Sequence, residues 1–273
     1  MSGSNGALSE PARAAKRIAA APILLALAVA AAWSVLWLWS ASPYAGYLDH
    51  GSWLEIGMLA SVCRAVPGGA IVLPAVLHVC AWVLMITAMM LPTIAPLLAL
   101  FRRVVAGRTD ADRLLGLIAA GYACAWLAFG LAAHALDAGL LQAARQLDGF
   151  VAHGWIVGAA VIGAAGLFQF SALKYRCLDR CRTPYGFIIE RWRGRTPIRD
   201  ALRIGFDHGL FCVGCCWALM LLMFVVGMGN LGWMLAIGAV MALEKNIAWG
   251  RHLSAPLGIA LIAWAGAIVV ANV

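Results

Sequence analysis

A run of soft donors, His208-Gly-Leu-Phe-Cys212-Val-Gly-Cys215-Cys216-Trp217, leads straight into Met220 and Met223 inside an apolar segment. On a helix of 3.6 residues per turn, His208, Cys212, Cys215, Cys216 and Met223 project within an arc of about 120°, with Met220 just beside it. A second thiol pair, Cys177-Leu-Asp-Arg-Cys181, stands upstream at a spacing that brings both sulfurs to one helical face. Thiolate, thioether and imidazole are soft or borderline donors, suited to Cu(I) and Zn(II) rather than Mg or Ca. Four of Cys177, Cys181, His208, Cys212 and Cys215, as four cysteines or as three cysteines with the histidine, could complete a tetrahedral zinc set. Two other chemistries use the same residues: thiol-disulfide exchange, and plain packing of cysteine as a small hydrophobe. Density and register favour metal or redox chemistry for the five clustered thiols. Cys80 and Cys124, alone in their apolar segments, and Cys63 read as packing.

The elements that must position these donors are membrane helices. The 273-residue chain is 64% hydrophobic and 12% charged, with a mean hydropathy of +0.89, which excludes an ordinary soluble domain. Apolar stretches long enough to cross ~30 Å of hydrocarbon recur at Ile18–Trp39, Leu77–Leu100, Leu114–Leu136, Val151–Phe170, Leu210–Val226, Gly229–Leu243 and Leu253–Val270, about seven spans in all. Gly229–Leu243 is short, so six is the alternative count. The expected fold is an all-α polytopic bundle: a basic disordered tail over 1–17, then one transmembrane domain over 18–273 with a basic cytoplasmic loop at 171–208. The outer loop between Ser40 and Pro74 holds a candidate interfacial helix around residues 54–64.

The net charge of +8 does not point to nucleic acid, because Lys and Arg fall on alternate loops. Arg13, Lys16 and Arg17 precede the first span, Arg102 to Arg113 follow the second, and Lys174 to Arg203 follow the fourth. This positive-inside pattern puts the amino terminus inside, in a multi-pass membrane protein. Tyr175, Tyr185, Phe187 and Trp192 interleave the basic loop, a composition that lies against the anionic inner leaflet. The same topology places the five clustered thiols on the reducing side, where structural disulfides are not expected.

The second span adds His78, Trp82, Met85 and Met89 on one helical side, with Met90 pointing away. Pro92 and Pro96 predict a kink beside these methionines. Facing Met220 and Met223, they would form a thioether path for Cu(I); the alternative is core filling. Ionisable residues near the membrane interior are functional suspects. Glu244 is a candidate ligand or proton acceptor, or else pairs with Lys245 or snorkels. His134 and Asp137 end the third span, and Gln169 and Lys174 flank the fourth, within reach of hydrogen bonds across helices.

The segments Ala81-Trp82-Val-Leu-Met85-Ile-Thr-Ala-Met89-Met90-Leu-Pro92, Gln169-Phe-Ser-Ala-Leu-Lys174-Tyr-Arg-Cys177-Leu-Asp-Arg-Cys181-Arg-Thr-Pro184, Gly205-Phe-Asp-His208-Gly-Leu-Phe-Cys212-Val-Gly-Cys215-Cys216-Trp217-Ala-Leu-Met220 and Met241-Ala-Leu-Glu244-Lys245 resemble the bacterial family of predicted metal-binding integral membrane proteins. The resemblance runs from the second span to the carboxyl end. It implies an inner-membrane helical protein with Cys and His ligands, and no particular reaction.

The leading expectation is therefore a membrane metal-handling protein for Cu(I), acting in transport or in delivery to a metalloenzyme, with a metallochaperone or metalloenzyme as partner. Cys177, Cys181, His208, Cys212, Cys215 and Cys216 would capture the ion; Met220, Met223, Met85 and Met89 would carry it deeper. A thiol-disulfide carrier and an assembly subunit with a structural zinc remain as alternatives. The sequence sets no oligomeric state.

Overall fold

The computed structural model describes residues 10–42, 72–144, 154–226 and 230–272, and among these it is helical without strands. The chain runs through α1 (Glu10–Ser40), α2 (Val72–Met85), a π-helical turn (Ile86–Met90), α3 (Leu91–Val104), α4 (Ala111–Ala144), α5 (Gly154–Phe168), α6 (Ala172–Arg182), α7 (Pro184–Arg191), α8 (Pro197–Val226), α9 (Leu231–Asn246), a 3-10 turn (Gly250–Leu253) and α10 (Ser254–Asn272). The expected all-α bundle is what the chain forms. Cys63 and the candidate interfacial helix lie outside the described residues, and of His78 only the backbone, in α2, is described.

Among the described residues, five helical segments are long and apolar enough to cross a membrane: Ile23–Ser40, Val79–Val104, Ala111–Asp137, Pro197–Val226 and Gly250–Asn272. The pair α5 and α6 makes a sixth if taken as one span, bent by 62° at its break. Helix α9, at the expected sixth span, has 16 residues; at 1.5 Å per residue it falls short of ~30 Å of hydrocarbon. The segment Glu10–Arg17, expected in the disordered tail, continues α1. It is alanine-rich, with Pro11 near the first turn where a missing amide costs nothing. Residues 171–208, the basic connection long enough to hold structure of its own, form α6, α7 and the first turns of α8.

Local chemistry explains the breaks. Ser171 caps α6 by accepting from the Lys174 amide at 3.1 Å, and Asn230 caps α9 by accepting from the Trp233 amide at 3.2 Å. Before α8, Gly194 takes φ +70, a left-handed turn that glycine adopts without steric cost. The Asp200 carboxylate then accepts from the Arg193 and Gly194 amides at 3.3 and 3.1 Å and from the Thr196 hydroxyl at 2.9 Å.

The expected kink in the second span takes the form of the π-helical turn. Pro92 has no amide to donate and crowds the preceding turn, and the chain widens there, with the Leu91 amide bonding to the Ile86 carbonyl. A wide turn shifts the angular phase of the side chains beyond it. Met89 and Met90 are consequently both buried, at 2% and 0% exposure. The expectation that Met90 points away is corrected: straight-helix spacing does not hold across a π turn.

The centre of the bundle is the seam between α4 and α8. A Cβ on Gly205 would strike the Ile118 carbonyl, one on Gly121 would strike the Leu202 carbonyl, and one on Gly209 would sit 2.7 Å from the Ala125 Cβ. Bare glycines let the two backbones touch, as small residues do between membrane helices. The register runs parallel, so Tyr122 of α4 arrives opposite His208 and Cys212 of α8.

Candidate functional site

Cys212 is the hub. Its sulfur lies 2.9 Å from the Tyr122 hydroxyl, placed there by the glycine seam. The Tyr122 hydroxyl also lies 3.2 Å from the Met90 carbonyl, which accepts from the Thr93 hydroxyl at 2.7 Å. The Cys215 and Cys216 thiols donate to the Cys212 carbonyl at 3.1 and 2.7 Å. One helical turn thus gathers two thiols on the carbonyl of the residue that carries the third.

Helix α6 brings the second thiol pair to the same place. A Cβ on Gly214 would lie 2.6 Å from the Cys177 sulfur, so Cys177 sits directly over bare backbone of α8. One turn on, the Cys181 thiol is close enough to interact with those of Cys212 and Cys215. The two sequence clusters therefore meet in space. Cys212, Cys215 and Cys216 are each 1% exposed and Cys177 is 8% exposed, whereas Cys181 is only partly buried. All seven described cysteines are free thiols. No group of three or more His, Cys, Asp or Glu side chains among the described residues stands as a ready metal cage; the sulfurs come together as a hydrogen-bonded cluster.

Helix α9 adds a cation that the sequence did not assign to this cluster. Lys245 Nζ lies 2.8 Å from Cys212 Sγ, 3.7 Å from Cys216 Sγ and 3.9 Å from Met90 Sδ. An ammonium has donors and no acceptor, so in each contact the sulfur accepts. Its neighbour Glu244 turns elsewhere. Lys174, fully buried, holds both Glu244 oxygens at 2.7 and 3.0 Å and also donates to Gln169. The Ser254 hydroxyl donates to Glu244 at 2.6 Å, and Arg182 donates to the Glu244 carbonyl and to that of Ala248 at 2.8 Å. Glu244 is thus neither paired with Lys245 nor a free ligand, because consecutive residues of a helix do not face each other. Lys174 bonds across to α9 as expected, while Gln169 bonds locally, accepting from Lys174 and donating to the Ala165 carbonyl of α5 at 3.0 Å.

The remaining candidates divide. His208 is 3% exposed, packed between the rings of Tyr122 and Phe187 at 6.2 and 5.4 Å between centroids, and its Nδ1 has no hydrogen-bond partner. One turn from Cys212, it is a buried donor atom left open. Met85, Met220 and Met223 are buried at 1%, 0% and 0%. Met89 lies along Gly238 of α9, with its Cγ 3.5 Å from where a Cβ would stand, so the contact defined for it is with α9 rather than with α8. Cys80 and Cys124, expected to be buried fillers, are exposed on the outside of the bundle, where apolar surface is the membrane-facing rule. Tyr122, Met90 and Lys245 are the functional neighbours that spacing alone missed. Their one sequence signal was a lysine at the end of an apolar helix.

The core of this helical bundle closes on thiols, a thioether and an ammonium, and several of its helices are long and apolar enough to cross a membrane. The family profile PpoB2, described as a copper chaperone, matches residues 79–268, well over half of the chain, and the protein belongs to this family. The match spans every element that contributes to the sulfur cluster. No curated protein and no solved structure matches the chain.

Proposed function

We propose that this protein is a membrane-embedded Cu(I) chaperone that accepts the ion at its basic, cytoplasmic end and delivers it to a metalloenzyme. The observation that carries this is the convergence of two separate thiol pairs, from α6 and α8, on Cys212. Cys181, the most exposed of the clustered thiols, receives the ion; Cys212, Cys215 and Cys216 hold it, and Cys177 and His208 border the path. A cluster not locked into a rigid tetrahedron suits a carrier that must release its cargo, and a mixed thiolate and thioether environment favours Cu(I) over Zn(II). The basic helices α6 and α7 rest on the anionic inner leaflet of the cytoplasmic membrane. Buried methionines at Met85, Met89, Met220 and Met223 extend soft donors deeper, for storage or passage.

Protein purified under reducing conditions and exposed to buffered Cu(I) should retain stoichiometric copper by elemental analysis. It should surrender that copper to an apo-metalloenzyme or a stronger chelator. Replacing Cys181, Cys212, Cys215 and Cys216 with Ser should remove the bound copper. Copper content unchanged by those substitutions would refute the site. Retention of zinc that no acceptor removes would support a structural role instead.

A further inference from the structure

Lys245 is buried at 8% exposure, and a buried charge requires an opposing one. The nearest carboxylate by sequence, Glu244, has both oxygens occupied by Lys174 and one also by Ser254. The hydrogen-bond acceptors on Lys245 Nζ among the described residues are three sulfurs: Cys212 at 2.8 Å, Cys216 at 3.7 Å and Met90 at 3.9 Å. Met90 and Cys216 are 0% and 1% exposed. Two thiols and a thioether thus surround a fixed positive charge, with water excluded.

We propose that Lys245 sets the valence selected by this pocket: its ammonium, 2.8 Å from Cys212 Sγ and 3.7 Å from Cys216 Sγ, opposes a divalent cation at these sulfurs about twice as strongly as a monovalent one. This rests on the Cu(I) site proposed above and adds Met90 as a third, uncharged sulfur donor. Each thiol that becomes a ligand sends its proton to solvent. Cu(I) at Cys212 and Cys216 brings one positive charge up to the ammonium, whereas Zn(II) or Cd(II) brings two, and no exchange of thiol protons removes the ammonium's opposition, which is about twice as large for the divalent ion. Softness alone does not exclude Cd(II); the resident ammonium supplies the discrimination.

The test uses the purified full-length protein and two redox-inert probes, Ag(I) for the monovalent ion and Cd(II) for the soft divalent one, alongside Cu(I). The readout is the ratio of Ag(I) to Cd(II) affinity, which is internal to the folded fraction and insensitive to expression level. Lys245→Met should move this ratio toward Cd(II) by about tenfold or more, and Lys245→Arg, which keeps the charge, should leave it near the starting value. Lys245→Gln gives the same readout with a polar neutral side chain should the Met variant fail to assemble. An Ag(I)/Cd(II) ratio unchanged by loss of the charge, in a protein that still binds Cu(I), overturns the role of Lys245 and leaves the copper site standing. Failure of the unsubstituted protein to bind either Cu(I) or Ag(I) overturns both.

Discussion

Glu244 and Lys245 are adjacent on α9, buried to a similar degree, and face two different worlds. Glu244 enters a closed polar network in which Lys174, Gln169 and Ser254 satisfy every charge. Lys245 enters a cluster whose partners are sulfurs. The first joins α6, α9 and α10 and has no unfilled valence, so its role is to hold. The second consists of soft donors, and the proposed copper chemistry rests on it. Because the two residues are consecutive, the closed network fixes the position of the open one.

That contrast breaks most visibly on the structural side. Lys174→Met should destabilise the protein by about 3–5 kcal/mol, since Glu244 would be left charged and buried without its partner. A thermal melt in detergent checks this, and Lys174→Met combined with Glu244→Leu should recover part of the loss. On the chemical side, Gly214→Ala inserts a methyl where Cys177 Sγ stands 2.6 Å away. The expected cost is ~1–3 kcal/mol from overpacking, together with weaker copper retention as α6 is pushed from α8. Lys245→Met should cost only about 1 kcal/mol, because the buried charge leaves with the side chain and the groups that lose a partner are sulfurs, which are weak acceptors. A Lys245→Met melt as severe as that of Lys174→Met would erase the distinction between the two networks. Smallest of all, Cys80→Ser and Cys124→Ala on the outer surface should stay within about 0.5 kcal/mol and leave copper content unchanged.

The donors on α8 were legible because a single helix obeys one period, and the pairing of Cys177 with Cys181 was legible for the same reason on α6. Their meeting depends on the 62° bend between α5 and α6 and on a bare Gly214, neither of which spacing reveals. Met90 was misplaced because a π turn, induced before Pro92, breaks the regular phase of a straight helix. Lys174 and Glu244 are 70 positions apart, and Lys245 and Cys212 are 33 apart; such partners are chosen by packing. Helical geometry did, however, contain one unused clue: residues i and i+1 diverge by about 100°, which argues against a Glu244–Lys245 pair. The basic segment after the fourth span is long enough to hold structure of its own, but the bounds of its helices were not legible, because their apolar faces, such as Phe187 and Ile188 at 1% and 2% exposure, are short.

The central claim is that Cu(I) sits among the sulfurs gathered on Cys212. X-ray absorption at the copper edge, on protein loaded under reducing conditions, tests it most directly. Sulfur scattering should dominate the first coordination shell and should be lost or replaced by lighter atoms when Cys212 and Cys216 become Ser. A first shell made of nitrogen and oxygen alone, or a sulfur shell indifferent to those substitutions, would contradict it.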